Sequence, residues 1–271
     1  MRELLRDFFE KHKIEYYSVL GYADCRVISE EIMSRESFTP RSVIVYLLPY
    51  YAGETVNLSR YAAAIDYHLV IKKVNAELGA LISSVFPNAR FRGYGDHSPI
   101  DERHAAAISG LGIRGDNRLL INERYGTYVF IADVITDIEP ALLGATAPEQ
   151  LLECIHCGRC LAACPSGVLR SESSACLSAV TQRKGALTPY EEDMMRSVGT
   201  VWGCDECQAC CPYNEAIAQT PIEAFLTDRI PRLDTEVLDG MSKDELSRRA
   251  FGWRGRRVLE RNLALFEENT K

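Results

Sequence analysis

One stretch decides the fold of this chain: Cys154-Ile-His-Cys157-Gly-Arg-Cys160-Leu-Ala-Ala-Cys164-Pro165. Its spacing, C-x₂-C-x₂-C-x₃-C-P, is that of bacterial ferredoxins, in which three close cysteines bind one cubane iron–sulfur cluster and the fourth binds a second cluster. A second motif is therefore required, and the sequence has one at Cys204-Asp-Glu-Cys207-Gln-Ala-Cys210-Cys211-Pro212. The two motifs together predict a ferredoxin-like region with two clusters.

Zinc is the alternative, because paired C-x₂-C motifs also build tetrahedral zinc sites. Four cysteines in the order of the first motif exceed what one zinc ion binds, and the second proline-terminated motif repeats the coincidence, so the sequence favours clusters. The chain has ten cysteines, and nine of them lie between Cys154 and Cys211, which does not suit a disulfide scaffold. The tenth, Cys25, is interpreted as a small buried hydrophobic residue.

Two cubane clusters take about eight cysteine ligands if the motifs cross as in two-cluster ferredoxins. The first set then joins the three close cysteines of the first motif to a proline-flanked cysteine of the second: Cys154, Cys157, Cys160 and Cys211. The second set contains the remaining motif cysteines and the one between the motifs: Cys164, Cys176, Cys204 and Cys207. Cys210 is spare, and an exchange of Cys210 with Cys211 stays open. His156, beside a ligand, is either simply exposed or tunes a cluster potential by hydrogen bonding.

Composition places the chain among ordinary globular proteins. Its 271 residues are 46% hydrophobic and 25% charged, which suits one large domain or a core domain with a small appendage. No stretch approaches the roughly 20 apolar residues that cross a bilayer, and the N-terminus mixes acids and bases where a signal peptide has an apolar core. We therefore expect a cytoplasmic protein with no membrane partner. The net charge of −7 gives no global attraction to nucleic acid, although a local basic patch can still act.

Upstream of the cysteine motifs, helical and strand-like patterns alternate and predict an α+β fold. Met1–Lys13 carries apolar residues on one helical face, and Ser42–Tyr50 is typical of a buried strand. Ser59–Phe86 predicts one long amphipathic helix. Arg118–Asn122 and Thr127–Thr136 predict a hairpin around a glycine-containing turn. These segments indicate an N-terminal domain that contains a sheet.

Three regions follow from these patterns. Residues 1–140 form the α+β domain, and a linker with two prolines, residues 137–150, leads to the cysteine region. Residues 151–220 form the ferredoxin-like domain with two [4Fe–4S] clusters. Residues 221–271 end in a helical pattern over Ser242–Asn269, and we expect this segment to pack back on the core.

The C-terminal segment also carries a basic run, Arg248-Arg-Ala-Phe-Gly-Trp-Arg-Gly-Arg-Arg-Val-Leu-Glu-Arg261, with six arginines. The arginines, with Phe251 and Trp253 between them, are suited to contact phosphates and to stack a base. The alternative is a solvated helix face whose charge is balanced by nearby acids: Glu245, Glu260, Glu267 and Glu268.

Around Asp96 the sequence resembles a known family. The strings Asp96-His-Ser-Pro-Ile-Asp-Glu-Arg103, Gly110-Leu-Gly-Ile-Arg-Gly-Asp-Asn117 and Leu119-Leu-Ile-Asn122 resemble epoxyqueuosine reductases, cobalamin-dependent relatives of reductive dehalogenases. The resemblance continues at Arg60-Tyr61, Asp66-Tyr-His68, Cys176-Leu-Ser178 and Gly203-Cys-Asp-Glu-Cys-Gln208. It spans about residues 42–214, and a second, shorter stretch at residues 251–262 also matches the family.

The resemblance implies an enzyme that reduces the epoxide of epoxyqueuosine in tRNA to the alkene, with base-off cobalamin and two [4Fe–4S] clusters held by the same eight cysteines. It implies that residues 1–140 bind cobalamin and that Asp96 is the catalytic proton donor, for which a poorly solvated pocket would raise its pKa. The implied cobalamin contacts are polar residues of the matching strings: Arg60, Tyr67, His68, Asp96, Asn117, Asn122 and Ser178. The implied partners are tRNA and a low-potential electron donor such as ferredoxin or flavodoxin.

Two departures from the family pattern keep other functions open. Ile113 and Asp116 stand where the family usually has an aromatic residue and a lysine, and the exchange of a cation for an anion would weaken binding of an anionic ligand. The chain also ends at Lys271, where longer members continue into helical repeats that contact tRNA. One alternative is a corrinoid reductase of a small molecule, such as an organohalide or another epoxide. The other is a non-catalytic, ferredoxin-like electron carrier.

Overall fold

The computed structural model describes residues 1–171 and 175–267 and divides the chain into two compact units. The first unit consists of Met1–Pro49 and Tyr67–His156, and the second consists of Tyr50–Asp66 and Cys157–Lys271. The boundary after His156 falls inside the first cysteine motif, a few residues beyond the expected start of the second domain. Tyr50–Asp66, which was expected in the N-terminal domain, belongs to the second unit.

The first unit contains five α-helices and six strands in its described residues. The helices are α1 (Arg2–Lys11), α2 (Glu30–Ser34), α3 (Tyr67–Val85), α4 (Glu102–Ile108) and α5 (Pro140–Leu143). The strands are β1 (Tyr17–Gly21), β2 (Ser42–Pro49), β3 (Phe91–Gly95), β4 (Ile113–Arg114), β5 (Leu120–Ile121) and β6 (Val129–Thr136). Four strands form an antiparallel sheet in the order β1-β2-β6-β3, and β4 pairs with β5.

Strand β2 confirms the buried strand that the sequence predicts, since all eight of its residues are buried. Side chains alternate between the two faces of a strand, so complete burial requires cover on both faces. On one face Val45 packs with Ala106 of α4. On the other face Tyr46 contacts Phe9 of α1, and its hydroxyl donates a hydrogen bond of 2.8 Å to Asn75 of α3. Helices therefore cover both sides of the central sheet.

Two elements differ from the sequence prediction. The long helix begins at Tyr67 rather than at Ser59, because the Ser59 hydroxyl and the Arg60 backbone bind Asp205 and leave only one short 3₁₀ turn there. The predicted hairpin is wrong: β5 pairs with β4, and only an isolated bridge joins Asn122 to Gly126.

The second unit is helical in its described residues. Its helices are α6 (Arg159–Ala163), α7 (Leu177–Gln182), α8 (Pro189–Val198), α9 (Glu206–Ala209), α10 (Glu223–Leu226), α11 (Thr235–Gly240), α12 (Lys243–Ser247) and α13 (Arg256–Glu267). Short 3₁₀ turns lie at Arg60–Ala62 and Pro212–Asn214. The chain as a whole has the predicted α+β class.

The C-terminal segment packs against the inserted segment Tyr50–Asp66 within the second unit. Trp202 and Phe251 are fully buried in one cluster with Leu58 and Leu259. The predicted C-terminal helical pattern therefore forms two helices, α12 and α13, that cover the core of this unit; residues 268–269 of that pattern lie outside the described part of the chain.

Candidate active site and cluster ligands

Asp96 follows the last residue of β3 and has unusual backbone geometry. Its φ is 62° and that of His97 is 52°, both in the left-handed region that residues with a Cβ rarely adopt. Such strained residues cluster at functional sites, where the surrounding structure holds them in place. The Tyr67 hydroxyl donates a hydrogen bond to Asp96 Oδ2, and His68 Nε2 lies 3.4 Å from the same oxygen. The structure thus brings three of the predicted site residues together at the end of β3.

Tyr67 is held in place by aromatic stacking. It opens α3, and its ring lies on Phe130 of β6 with centroids 4.0 Å apart and on His68 at 4.1 Å. Helix α3 approaches β3 closely because Gly95 has no side chain; a Cβ there would lie 2.6 Å from Ile71. The packing of α3 on the sheet therefore positions the phenol that binds Asp96.

The pKa of Asp96 is lowered from its usual value. Burial alone would raise this pKa, but hydrogen bonds from His68 and Tyr67 and the charges of His68 and His97 outweigh it. The predicted raised pKa is therefore wrong for this structure. At neutral pH Asp96 is a carboxylate that accepts hydrogen bonds from both neighbours.

Two further acids near Asp96 were missed by the sequence analysis. Asp133 lies on β6 with 0% exposure, and among the described residues its carboxylate has only the nearby Ser98 hydroxyl, which does not reach the distance and angle of a full hydrogen bond. Burial raises the pKa of Asp133 to about 7, and the Ser98 hydroxyl only partly offsets this. Burial, then the charges of Asp96 and Asp133, raise the pKa of Glu102 to about 8. A single acid in the apolar run 129–135 was the signal that could have identified Asp133.

The other predicted cobalamin contacts of the first unit have defined partners. Asn122 is 1% exposed, its amide nitrogen donates to the Leu111 carbonyl at 2.8 Å, and its oxygen accepts from the backbone of Arg124 and Tyr125. This side chain is committed to the turn after β5, which argues against a contact with a cofactor. Asn117 is also buried, and its oxygen accepts a hydrogen bond of 3.2 Å from the Leu119 amide.

In the second unit, Arg60 anchors the loop of the second cysteine motif. Its guanidinium pairs with Glu54 and, at 3.2 Å, with Asp205, which lies between Cys204 and Cys207. Gly203 precedes the motif with a φ of 76°, and a Cβ there would lie 2.4 Å from that of Ser59. These contacts explain why the segment that contains Arg60 belongs to the second unit.

Ser178, the other predicted contact of this unit, belongs to a polar network. Gln182 donates from its side-chain nitrogen to the Ser178 hydroxyl at 3.2 Å and to the Tyr61 hydroxyl at 3.3 Å. The Trp202 indole donates to the same Tyr61 oxygen at 3.0 Å, and the Trp253 indole donates to the Gln182 oxygen at 3.2 Å. Ser178 is therefore held by groups from α7, the inserted segment and the basic run.

Cys207 lies in the second unit within electrostatic range of three other sulfurs. Burial raises the pKa of Cys207 well above its usual value, and the charges of three other sulfurs raise it further: Cys204, Cys176 and Cys164. Burial, with a further contribution from Cys176, raises the pKa of Cys204 to about 12. Thiolates so close together repel one another unless a cation lies between them, and the iron of a cluster is such a cation. The chemistry of this donor set fits an iron–sulfur cluster.

Cys164 differs from its neighbours because backbone amides surround its sulfur. Burial would raise its pKa, but hydrogen bonds from the amides of Leu169, Gly167 and Ser166 and from the Ser166 hydroxyl lower it. The thiolate form, which binds iron, is thereby favoured.

The remaining sulfurs of the second unit include the adjacent pair Cys210 and Cys211. Cys211 and Cys160 are buried, Cys157 is exposed, and Cys210 is partly exposed with its sulfur 3.7 Å from the Cys207 carbonyl. Burial, then the charges of Cys211, Glu206 and Cys157, raise the pKa of Cys210. The two adjacent cysteines therefore differ in burial, with Cys211 the more buried of the two.

Cys154 belongs to the first unit, where it lies beside an acid and a histidine. Ligand atoms of Cys154, Asp116 and His156 all lie within 4.8 Å of one another, and His156 Nδ1 is 2.8 Å from Asp116 Oδ1. The carboxylate at position 116, where the resembling family has a lysine, is thus paired with the histidine of the first motif. Cys25, finally, is 8% exposed, which confirms its interpretation as a buried residue.

Comparison with known proteins identifies the family. Residues 153–214 match the 4Fe-4S double cluster binding domain. The epoxyqueuosine reductase of Gloeobacter violaceus is 33% identical over an alignment that covers 80% of this chain and 72% of that protein. The chain belongs to the epoxyqueuosine reductase family. The enzyme of Listeria monocytogenes is 30% identical over 78% of this chain, which spans 58% of that protein's length.

Solved structures of the epoxyqueuosine reductase family share the fold. The enzyme of Streptococcus thermophilus matches 97% of this chain and 79% of its own at a TM-score of 0.78 and 20% identity. An epoxyqueuosine reductase crystallised with an epoxyqueuosine-modified tRNA stem loop matches 97% of this chain and 80% of its own at 0.76 and 20% identity.

Family membership makes the chain an oxidoreductase that binds [4Fe–4S] clusters, as predicted. The alternative hypothesis of a non-catalytic electron carrier is therefore set aside. No helix within residues 1–171 and 175–267 is long and apolar enough to cross a membrane.

Proposed function

We propose that the protein reduces the epoxide of epoxyqueuosine in tRNA to the alkene of queuosine, with Asp96 as the group that moves the proton. The observation that carries this proposal is the arrangement of Tyr67, His68 and Asp96 at the end of β3 in a member of the epoxyqueuosine reductase family. A structural relative bound to a modified tRNA stem loop supports tRNA as the substrate.

The chemistry needs both electrons and protons. An epoxide that becomes an alkene takes up two electrons and two protons and releases one water molecule, because both carbon–oxygen bonds to the ring oxygen break. The bound clusters and base-off cobalamin would supply the electrons. The protein must then deliver protons to an oxygen that becomes strongly basic as its bond to carbon breaks.

Asp96 is suited to this task because its ionisation responds to cover by a ligand. Its side chain is 45% exposed, and the hydrogen bonds to Tyr67 and His68 keep it ionised while water reaches it. A substrate that covers the carboxylate adds desolvation, which raises the pKa and favours uptake of a proton. One of the two protons passes from His68 Nε2 or the Tyr67 hydroxyl to Asp96 Oδ2 and from there to the substrate oxygen, and solvent water supplies the other.

The proposed cluster ligands are the eight cysteines of the two crossed sets. The grouping of Cys164, Cys176, Cys204 and Cys207 around shared charge supports the second set. Cys154, Cys157, Cys160 and Cys211 form the proposed first set, for which Cys211 is favoured over Cys210 by its burial and by the proline that follows it.

Cobalamin is proposed from the family and from the donor set. Tyr67 and His68 of the first unit offer phenol and imidazole groups, which suit the carboxamide arms of a corrin. Arg60 is proposed only as a residue that supports the neighbouring motif loop, since two carboxylates already pair with it. A low-potential donor such as ferredoxin or flavodoxin and a cytoplasmic location complete the proposal, because tRNA is a cytoplasmic substrate.

The experiment is anaerobic reconstitution with iron, sulfide and cobalamin, followed by an assay of queuosine formation in tRNA that carries epoxyqueuosine. We expect turnover by the wild type and a loss of about 10²-fold or more in kcat for Asp96→Asn, with cluster absorbance unchanged. Asp7→Asn is the matched control, because the Asp7 side chain is 62% exposed on α1 of the same unit and pairs with Arg6. Wild-type turnover by Asp96→Asn would rule out the proposed role, and turnover of organohalides alone would replace the substrate.

A further inference from the structure

The basic run of the second unit lines a cavity of about 440 Å³. Its walls come from the loop between α7 and α8 and from the start of α13, and five of the eight lining residues are cationic: Lys184, Arg254, Arg256, Arg257 and Arg261. Sites that hold ligands of nucleotide size have volumes of about 300–1,000 Å³, so a group of that size fits here.

Most of the positive charge in this cavity is not neutralised by the protein. Arg256 pairs with Asp239 at 3.1 Å. In the described part of the chain, no carboxylate forms an ion pair with Lys184, Arg254 or Arg257. Of the acids that the sequence analysis considered as balancing charges, Glu245 caps α12 through Ser242, and the side chains of residues 267 and 268 lie outside the described part. Glu260 is exposed on α13 and forms no ion pair with these cations in the described part of the chain. Like charges held together in this way favour an anionic ligand.

Arg261 builds the cavity rather than facing a ligand. Its guanidinium donates hydrogen bonds of 2.6 Å to the carbonyls of Arg183 and Gly185 and a bond of 2.7 Å to Asn262. It thereby fixes the α7–α8 loop, with Lys184, beside the first turn of α13. Burial, then the charge of Arg183, lower the pKa of Arg261, and the charges of Glu191 and Glu192 only partly oppose this.

The side chain of Arg254 is suited to bind an anion beside a base that stacks on Trp253. Its guanidinium lies 3.7 Å from the centroid of the Trp253 ring, and its Nε is buried without a hydrogen-bond partner among the described residues. A buried donor without a partner is unfavourable, and an anion bound to the same guanidinium would offset part of that cost. Trp253 is 56% exposed and offers its ring beside the cavity. Helix α13, 12 residues long, also directs the positive end of its dipole here.

We propose that this cavity binds a phosphodiester of an RNA strand, with a neighbouring base against Trp253. The combination of unpaired cations with an exposed aromatic ring favours RNA over an acidic protein, which offers carboxylates but no stacking bases. The inference rests on the proposed function in that the RNA is the tRNA substrate. It assigns that substrate a contact made by Lys184, Arg254 and Arg257 of this chain.

The test measures binding of a fluorescent tRNA anticodon stem loop to the cluster-loaded protein by anisotropy, over a series of salt concentrations. We expect Arg254→Gln with Arg257→Gln to weaken binding about tenfold or more and to lower the slope of log K against log salt by roughly one to two. Trp253→Ala should weaken binding with little change in slope, because stacking releases no counterions. Arg232→Gln is the control for each arginine substitution made singly: it removes one positive charge from the same unit, and Arg232 is 63% exposed and does not line the cavity.

Competition experiments distinguish RNA from other anions as the ligand of the cavity. Inorganic phosphate and polyglutamate are added as competitors at matched ionic strength. Competition by polyglutamate as strong as that by unlabelled RNA would overturn the assignment to RNA. Phosphate that displaces the stem loop from the wild type but not from the arginine variants supports the cavity as the point of contact. Unchanged cluster absorbance and thermal midpoint in every variant show that the fold is intact.

Turnover and RNA binding are measured separately on the wild type and on the cavity variants. If the wild type converts epoxyqueuosine tRNA and the cavity variants bind RNA as it does, the cavity is not an RNA site and the proposed function stands. If the cavity variants lose RNA binding while the wild type shows no epoxide reduction, the cavity assignment stands and the proposed reaction fails.

Discussion

Replacement of Asp133 by asparagine tests the buried carboxylate beneath the active site. Burial raises the pKa of Asp133 from 3.8 to about 7, so the folded state binds a proton that the unfolded state releases. Stability from this group is therefore present at low pH and is lost as the pH rises from about 4 to about 7. A shift of about three units corresponds to about 4 kcal/mol in total, of which about 2 kcal/mol is lost between about pH 5.5 and 8.5.

The Asp133→Asn variant removes this titration. The amide has its own desolvation cost, but that cost does not change with pH, so the comparison is between slopes rather than between absolute stabilities. The charge of Asp133 also contributes to the raised pKa of Glu102. The substitution removes this contribution too, which further reduces the dependence of stability on pH.

The assay is the midpoint of thermal unfolding of anaerobic, cluster-loaded protein at a series of pH values. We expect the wild-type midpoint to fall by about 4 °C more than that of Asp133→Asn between about pH 5.5 and 8.5. Asp7→Asn, which replaces an exposed acid of the same unit, should follow the wild type. Parallel profiles for the wild type and Asp133→Asn would refute the reasoning, because they would show that Asp133 is ionised or solvated in the folded protein.

Three further predictions concern the two sites. Tyr67→Phe removes a hydrogen bond that lowers the pKa of Asp96, so the acidic limb of the pH–rate profile should move to higher pH; an unchanged limb would show that this bond does not govern the titration. Asp205→Asn weakens the bonds to the segment at residues 59–60 and should lower the free energy of unfolding by about 1–3 kcal/mol, measured by denaturant titration. Cys210→Ser should retain both clusters by iron analysis and cluster absorbance, whereas Cys211→Ser should lose one; the reverse result would exchange the two ligands.

The sequence predicted the features that depend on local spacing. The run Ser42–Tyr50 is apolar throughout, so its strand is visible without knowledge of its neighbours, and the cysteine spacing identifies the cluster region because ligation itself sets that spacing. The strand pairing at Asn122 was not predictable in the same way. Its side chain closes the turn by bonds to Arg124 and Tyr125, and the partner of β5 is chosen by tertiary packing.

The site itself was predictable only in part, and for a similar reason. Asp96, Tyr67 and His68 were identified through the family resemblance, but the direction of the pKa change of Asp96 depends on distances that no sequence pattern encodes. The contact between Arg60 and Asp205 could not be predicted either, because the two residues lie 145 positions apart in the chain.

The inserted segment Tyr50–Asp66 has a consequence for how this chain can be divided. The backbone passes from one unit to the other after Pro49, after Asp66 and after His156, so a single cut never yields two complete units. A fragment that starts at Cys157 would lack Leu58, a buried member of its own core, and the partners that hold Asp205 in place. Any transfer of the second unit to another protein would therefore need both of its segments, residues 50–66 and 157–271, with a new connection in place of residues 67–156.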